Sequence, residues 1–289
     1  MKAFLPTLLK RLSVKVLKLW RAIINMVIES IFSPSAIINA PKIMLPCAII
    51  VSLISIYISF YVFPSYSGII APLFITMALS PLLVKIFTLE EEIERLYVER
   101  KISESFFERH SRVIELFALF FVGNLIAFLI VAMIVSDNTF FTFFGPQLNE
   151  ISAIQSITGA LTQNEVFQII LMNNVKVMVT SFILSLVFGS GAVFILSWNA
   201  SILAGYLGIY LRTGALNEFL VKSMGIAPHA PFEIGAYFIA GIAGGMLSAG
   251  FVKENWKSRE FHIILKDSII MMLMAIAVLV IGALLEVYL

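Results

Sequence analysis

The sequence predicts an all-α polytopic membrane protein, a bundle of about seven transmembrane helices. Three observations predict it. First, 60% of its 289 residues are hydrophobic and only 13% are charged, against about 45–50% and about 25% in an ordinary soluble domain. Second, apolar runs of the roughly 20 residues that cross a hydrocarbon core recur along the chain. Third, the basic residues concentrate in alternate connectors. Backbone polar groups must be satisfied internally in lipid, so the runs are helices. The alternation of a β-barrel is absent. This composition excludes a soluble enzyme, a disordered chain and a disulfide scaffold. A net charge of +2 implies no nucleic-acid surface. The single cysteine, Cys47, excludes internal disulfides and cysteine-based metal clusters.

Residues 1–42 read as a cytoplasmic amphipathic arm. Arg11, Lys15 and Lys18 fall at helical spacing among large apolar residues, and Trp20 suits the headgroup level. Lysines interrupt the apolar residues and no small-residue cleavage site follows, which argues against a secretory signal. Residues 43–87 form a transmembrane hairpin with spans at 43–63 and 67–87, the second kinked at Pro72 and Pro81. The connector at 88–115 is strongly charged. Glu91 with Arg95 and Glu108 with Arg112 have the order that supports a helix. Ile93, Leu96, Ile102, Phe106 and Val113 add a partial apolar stripe. This segment is either a solvated connector or a docking surface for a soluble partner.

A transmembrane bundle occupies 116–289, beginning with a third span at 116–136. The outer loop 137–173 is long for a turn. Its Phe140, Phe141, Phe143 and Phe144, beside Gly145 and Pro146, are expected at the membrane interface. Ile151, Ile154, Ile157 and Leu161 predict an amphipathic outer helix or a cap over the bundle. The fourth span is expected at 174–196. The fifth, at 200–211, reaches only about 18 Å at 1.5 Å per residue and reads as tilted, short or re-entrant. The sixth and seventh follow at 231–252 and 268–289.

Lysine and arginine set the expected orientation. Lys2, Lys10, Arg11, Lys15, Lys18, Arg21 and Lys42 precede the first span. Lys85, Arg95, Arg100, Lys101, Arg109 and Arg112 lie between the second and third. Lys253, Lys257, Arg259 and Lys266 precede the last. Of 20 basic residues, all but Lys176, Arg212 and Lys222 share one side in a seven-span layout. The N-terminus is then cytoplasmic and the C-terminus outside.

Polar residues at membrane depth are candidates for function. Asn173, Asn174 and Lys176 open the fourth span, Asn199 lies between the fourth and fifth, and Glu286 closes the seventh. His229 and Glu233 open the sixth and share one helical face. Pro231 suits a first helical turn, and Glu233 complements the helix dipole there. In a seven-span layout Asn174, Lys176, Arg212, His229 and Glu233 make a polar constellation toward the outer leaflet, and Asn173 and Asn199 complete the candidate polar cluster. It reads either as an inter-helix hydrogen-bond network or as a proton or ligand path. His229 and Glu233 alone do not make a three-ligand zinc site, and no HExxH motif exists. No glycine-rich phosphate loop is present. No cofactor is implied.

Gly205 and Gly208 in the fifth span, and Gly241, Gly244 and Gly245 in the sixth, allow close helix packing; Gly241 and Gly245 form GxxxG. The facing helix belongs either to the same chain or to a second copy in a homodimer.

The run NNVKVMVTSFILSLVFGSGAVFILSWNASILAGYLG from Asn173 to Gly208 is followed from Pro228 by PHAPFEIGAYFIAGIAGGMLSAG. Together they resemble the stage II sporulation protein M family over about residues 113–289. Ala230 stands where glycine is usual. The resemblance implies a membrane protein without assigned catalysis. In sporulating bacteria the family acts as a scaffold that holds cell-wall hydrolases and helps drive membrane migration. The resemblance marks Asn174, Asn199, His229 and Glu233.

The leading functional expectation is a non-enzymatic scaffold for envelope or membrane remodelling, with partners engaged through 88–115 or 137–173. The alternatives are a transporter or channel with a path along Asn174, His229 and Glu233, and an intramembrane hydrolase in which His229 and Glu233 activate water.

Overall fold

The computed structural model describes residues 33–99, 106–158, 162–253 and 256–289. Most of the expected N-terminal arm and the middle of the charged connector fall outside the described residues. Within them every element is helical. A short helix α1 (Pro34–Asn39) and a 3-10 turn lead into α2 (Met44–Val62). A second 3-10 turn at Pro64–Tyr66 joins α2 to α3 (Ser67–Glu99), which is followed by α4 (Phe106–Ile134) and α5 (Asp137–Thr158). Next come α6 (Gln163–Phe188), α7 (Ala192–Arg212), α8 (Leu216–Ile226), α9 (Ala230–Lys253) and α10 (Arg259–Tyr288).

Among the described residues, seven segments are long and apolar enough to cross a membrane: Pro41–Val62, Pro64–Ile86, Arg112–Ile134, Gln163–Phe188, Ala192–Arg212, Ala230–Val252 and Phe261–Tyr288. The first three and the sixth match the expected spans to within a few residues. The fourth and fifth do not. The expected fourth span ran from 174 to 196 through one continuous apolar stretch. The chain instead turns at Gly189, whose φ of 76° is left-handed backbone that glycine adopts without strain. The Gly189 N–H donates to the Ser185 carbonyl at 2.7 Å. The Ser185 Oγ then accepts the Ala192 N–H at 2.8 Å, capping the next helix.

The start of α6 is equally well defined. Thr162 accepts from the Glu165 N–H, and the Glu165 carboxylate accepts the Thr162 N–H at 2.9 Å, which completes a capping box. The fifth span is therefore not short. Its 21 residues reach about 31 Å, and 61% of its apolar window is buried, the largest share of the seven. The seventh helix also begins earlier than expected, with the Ser258 hydroxyl accepting the Phe261 N–H at 3.1 Å.

Two cores result. The larger one joins α1 to α5 with α7, part of α9 and Met271 of α10. The smaller one joins α6, α9 and α10 with Ile195 of α7. The phenylalanines expected at the membrane interface are mostly core residues: Phe140, Phe143 and Phe144 are buried and only Phe141 is exposed. Their rings pack together, Phe143 and Phe144 edge to face with centroids 4.8 Å apart and Phe60 tilted against Phe143 at 4.7 Å. The reason is steric. A Cβ at Gly68 would fall on the Phe143 carbonyl oxygen, so this glycine lets the backbones of α3 and α5 touch. Gly205 and Gly208 present a flat face of α7 to Phe144 and Phe140.

Candidate functional site

Gly241, Gly244 and Gly245 of α9 face α6 and the turn from it into α7. Side chains at Gly244 and Gly245 would meet the Phe182 and Gly189 carbonyl oxygens, and one at Gly241 would meet the Ala192 methyl. The close approach they permit brings polar groups of α6 and α9 together. Asn174 Nδ2 donates to Glu233 Oε1 at 2.6 Å. The Tyr237 hydroxyl donates to Asn174 Oδ1 at 2.9 Å. Asn173 Nδ2 reaches the same oxygen at 3.5 Å. One turn deeper, the Ser181 hydroxyl donates to the Tyr237 carbonyl at 2.8 Å. Asn174 and Tyr237 are buried.

Glu233 sits in the first turn of α9. Its N–H and that of Phe232 donate to the His229 carbonyl, at 3.3 and 2.9 Å, so His229 closes the turn that starts the helix. Pro231, without an N–H, leaves no orphan donor there. The antiparallel helix α10 brings Glu286 to the same place. The Glu286 carboxyl group comes within 4.8 Å of that of Glu233. Each of His229, Glu233 and Glu286 offers a ligand atom, and these atoms lie within 4.8 Å of one another. Gly282, one turn before Glu286, makes this possible, because a Cβ there would press on Phe232 and Glu233. His229 and Glu233 are partly buried and Glu286 is exposed.

Of the predicted polar residues, Asn173, Asn174, His229 and Glu233 come together, and Glu286, singled out at the end of the seventh span, joins them. Three do not join them. Arg212 donates to the Ala132 and Val135 carbonyls at 2.6 and 2.7 Å, pairs with Asp137 and lies over the Phe140 ring. It thereby caps the C-terminal end of α4. Asn199 donates to the Ile195 carbonyl of its own helix at 2.8 Å. Lys176 is exposed. Tyr237 and Gly282 are additional members that sequence reasoning missed. Each stands four residues from a glutamate, Tyr237 after Glu233 and Gly282 before Glu286, and that spacing was the available signal.

Further polar contacts knit the larger core. The Ser52 hydroxyl donates to Asn124 Oδ1 at 2.8 Å, linking α2 to α4. Gln147 Nε2 donates to the Gly68 carbonyl at 2.9 Å and to Ser201 Oγ at 3.2 Å, linking α5 to α3 and α7. Cys47 is buried in this core on α2, a helix that does not enter the core of α6, α9 and α10.

The family model described as Stage II sporulation protein M matches residues 116–289. No curated protein and no solved structure matches the chain.

Proposed function

The chain belongs to the stage II sporulation protein M family, and from that premise we propose that it is a non-enzymatic membrane scaffold for envelope or membrane remodelling. One observation carries this reading: the polar side chains at depth join helices to one another. Asn174 and Glu233 tie α6 to α9, Arg212 ties α7 to α4, Ser52 and Asn124 tie α2 to α4, and Gln147 ties α5 to its neighbours. Inter-helix hydrogen bonds of this kind select which helices pair. They suit a rigid frame better than a path.

In this reading the N-terminus is cytoplasmic and the C-terminus outside, following the positive-inside bias. Partners dock at 88–115 or at the part of 137–173 that precedes the span beginning at Gln163. Because α6 fills the glycine face of α9, a homodimer would form through another face. The test is affinity purification from native membranes in mild detergent, with mass spectrometry of crosslinked species. A reproducible partner crosslinked to 88–115 or 137–173 supports the scaffold. Repeated recovery of the chain alone overturns it.

A transporter or channel is the second reading, favoured by two carboxylates and an imidazole gathered at one end of the smaller bundle. Ion flux in proteoliposomes that Glu233→Gln abolishes would replace the scaffold with this reading.

A further inference from the structure

We propose that His229, Glu233 and Glu286 form a binding site for one divalent metal ion of the zinc class at the rim of the α9–α10 pair. The inference rests on geometry and is independent of the scaffold reading. His229 and Glu233 are four residues apart at the start of α9. That is the spacing by which one helix face presents two metal ligands. The sequence offers these two alone, which is too few for a zinc site. Folding supplies the third from the antiparallel α10, and the three ligand atoms lie within 4.8 Å of one another. Tetrahedral zinc with bonds of about 2.0–2.1 Å holds its ligands roughly 3.3 Å apart. The three ligand atoms must draw in to that spacing around the ion, and Glu286, the exposed member, is the side chain with most room to move.

The donor set selects the ion. One imidazole nitrogen and two carboxylates suit zinc or a neighbouring first-row dication. Magnesium and calcium prefer all-oxygen shells.

The surroundings are built as metal sites are built. Two carboxylates whose oxygens lie within 4.8 Å of each other repel unless a proton or a cation lies between them. Among the described residues neither has an ion-pair partner. Asn174, buried on α6 and therefore outside the triad, holds Glu233 Oε1 at 2.6 Å and is itself held by Tyr237. Glu233 Oε2 remains for the ion, and the carboxylate plane is set by an outer-shell amide. Gly282 gives α10 the close approach that delivers Glu286. Three protein ligands leave the fourth tetrahedral position for water or a group on a partner.

The test uses the full chain in lipid nanodiscs, stripped with chelator and titrated with zinc by calorimetry. One ion should bind per chain. Glu286→Gln and His229→Ala should each weaken binding at least about tenfold. Asn174→Ala, which removes only the outer-shell support, should weaken it by about tenfold to a hundredfold. Glu218→Gln on α8 should change nothing. Glu286 is exposed and Glu286→Gln removes one of two neighbouring carboxylates, so it should not lower the melting temperature of the metal-free protein. Zinc absorption spectra should show nitrogen and oxygen neighbours at about 2.0–2.2 Å. No binding up to about millimolar zinc, affinities unchanged in Glu286→Gln and His229→Ala, or a sulfur neighbour in the spectrum would each overturn the proposal.

Discussion

The amide of Asn174 on α6 donates to the carboxylate of Glu233 on α9 at 2.6 Å, across 59 positions of sequence. The two helices run parallel, since Asn174 meets Glu233 while Phe182 and Gly189, further along α6, meet Gly244 and Gly245. They are consecutive neither in sequence nor in topology, because α7 and α8 lie between them. Only a long-range contact of definite geometry specifies this pairing.

Substitutions at Asn174 should separate a lost bond from an added charge. Asn174→Ala removes inter-helix hydrogen bonds that average about 0.6 kcal/mol each in membranes, so a loss of about 1 kcal/mol is expected. Asn174→Asp keeps the shape but sets a third acidic group against Glu233 and Glu286, and like charges at contact cost more than a missing bond. Thermal unfolding in nanodiscs should therefore rank Asp below Ala. The reverse order would mean that the Asn174 donor contributes little.

Arg212 permits a similar comparison. Its guanidinium donates to two carbonyls at the end of α4 and pairs with Asp137, whose side chain is 86% exposed. Hydrogen bonds to a charged donor contribute about 1.5–3 kcal/mol, whereas exposed ion pairs contribute about 0–1 kcal/mol. Arg212→Ala should thus cost about 2–3 kcal/mol and Asp137→Asn under about 1 kcal/mol. Arg212→Lys should restore little, because one ammonium does not reproduce the planar fork. Hydrogen exchange at residues 132–137 would show the fraying directly.

Much of this fold was legible in the sequence because apolar run length and basic-residue position are local quantities. The misread part is instructive. Hydropathy stays high from Val175 through Leu196, so an apolar run there looks like one span. The break lies in Gly189-Ser190-Gly191, a helix stop written in backbone freedom, and in the Thr162–Glu165 capping box. Both are signals of helix ends and not of polarity. The phenylalanines at 140–144 were misplaced for a different reason. Aromatic side chains suit both interfaces and cores, and only the contact with Gly68 and Gly205, far away in sequence, decides between them. The polar site was half legible. His229 and Glu233 share one helix, but Glu286 reaches them only because α10 returns antiparallel along α9, a tertiary fact.

The glycines of α9 should not be equivalent. A methyl at Gly244 would strike the Phe182 carbonyl oxygen, which belongs to backbone and has no rotamer to yield. Gly244→Ala should destabilise by about 1–3 kcal/mol, the usual cost of overpacking. Nothing lies within 4 Å of a Cβ at Gly235. Gly235→Ala should be neutral or stabilising by up to about 1 kcal/mol, through helix propensity alone. Equal effects in a melting experiment would show that α6 and α9 do not touch as described.

The sidedness of the bundle is accessible through its one cysteine. Cys47 is fully buried, so the parent protein should be silent to membrane-impermeant thiol reagents. Asn138 opens α5 and is exposed, and Trp256 precedes α10 and is exposed. Seven crossings place these two positions on opposite faces of the membrane. In the proposed orientation Trp256, amid Lys253, Lys257 and Arg259, faces the cytoplasm. Asn138→Cys should therefore label in intact cells, and Trp256→Cys only after permeabilisation. Labelling of both from outside would remove one crossing among α6, α7 and α9. The inverse pattern would keep all seven and reverse the orientation, moving the triad of His229, Glu233 and Glu286 to the cytoplasmic face.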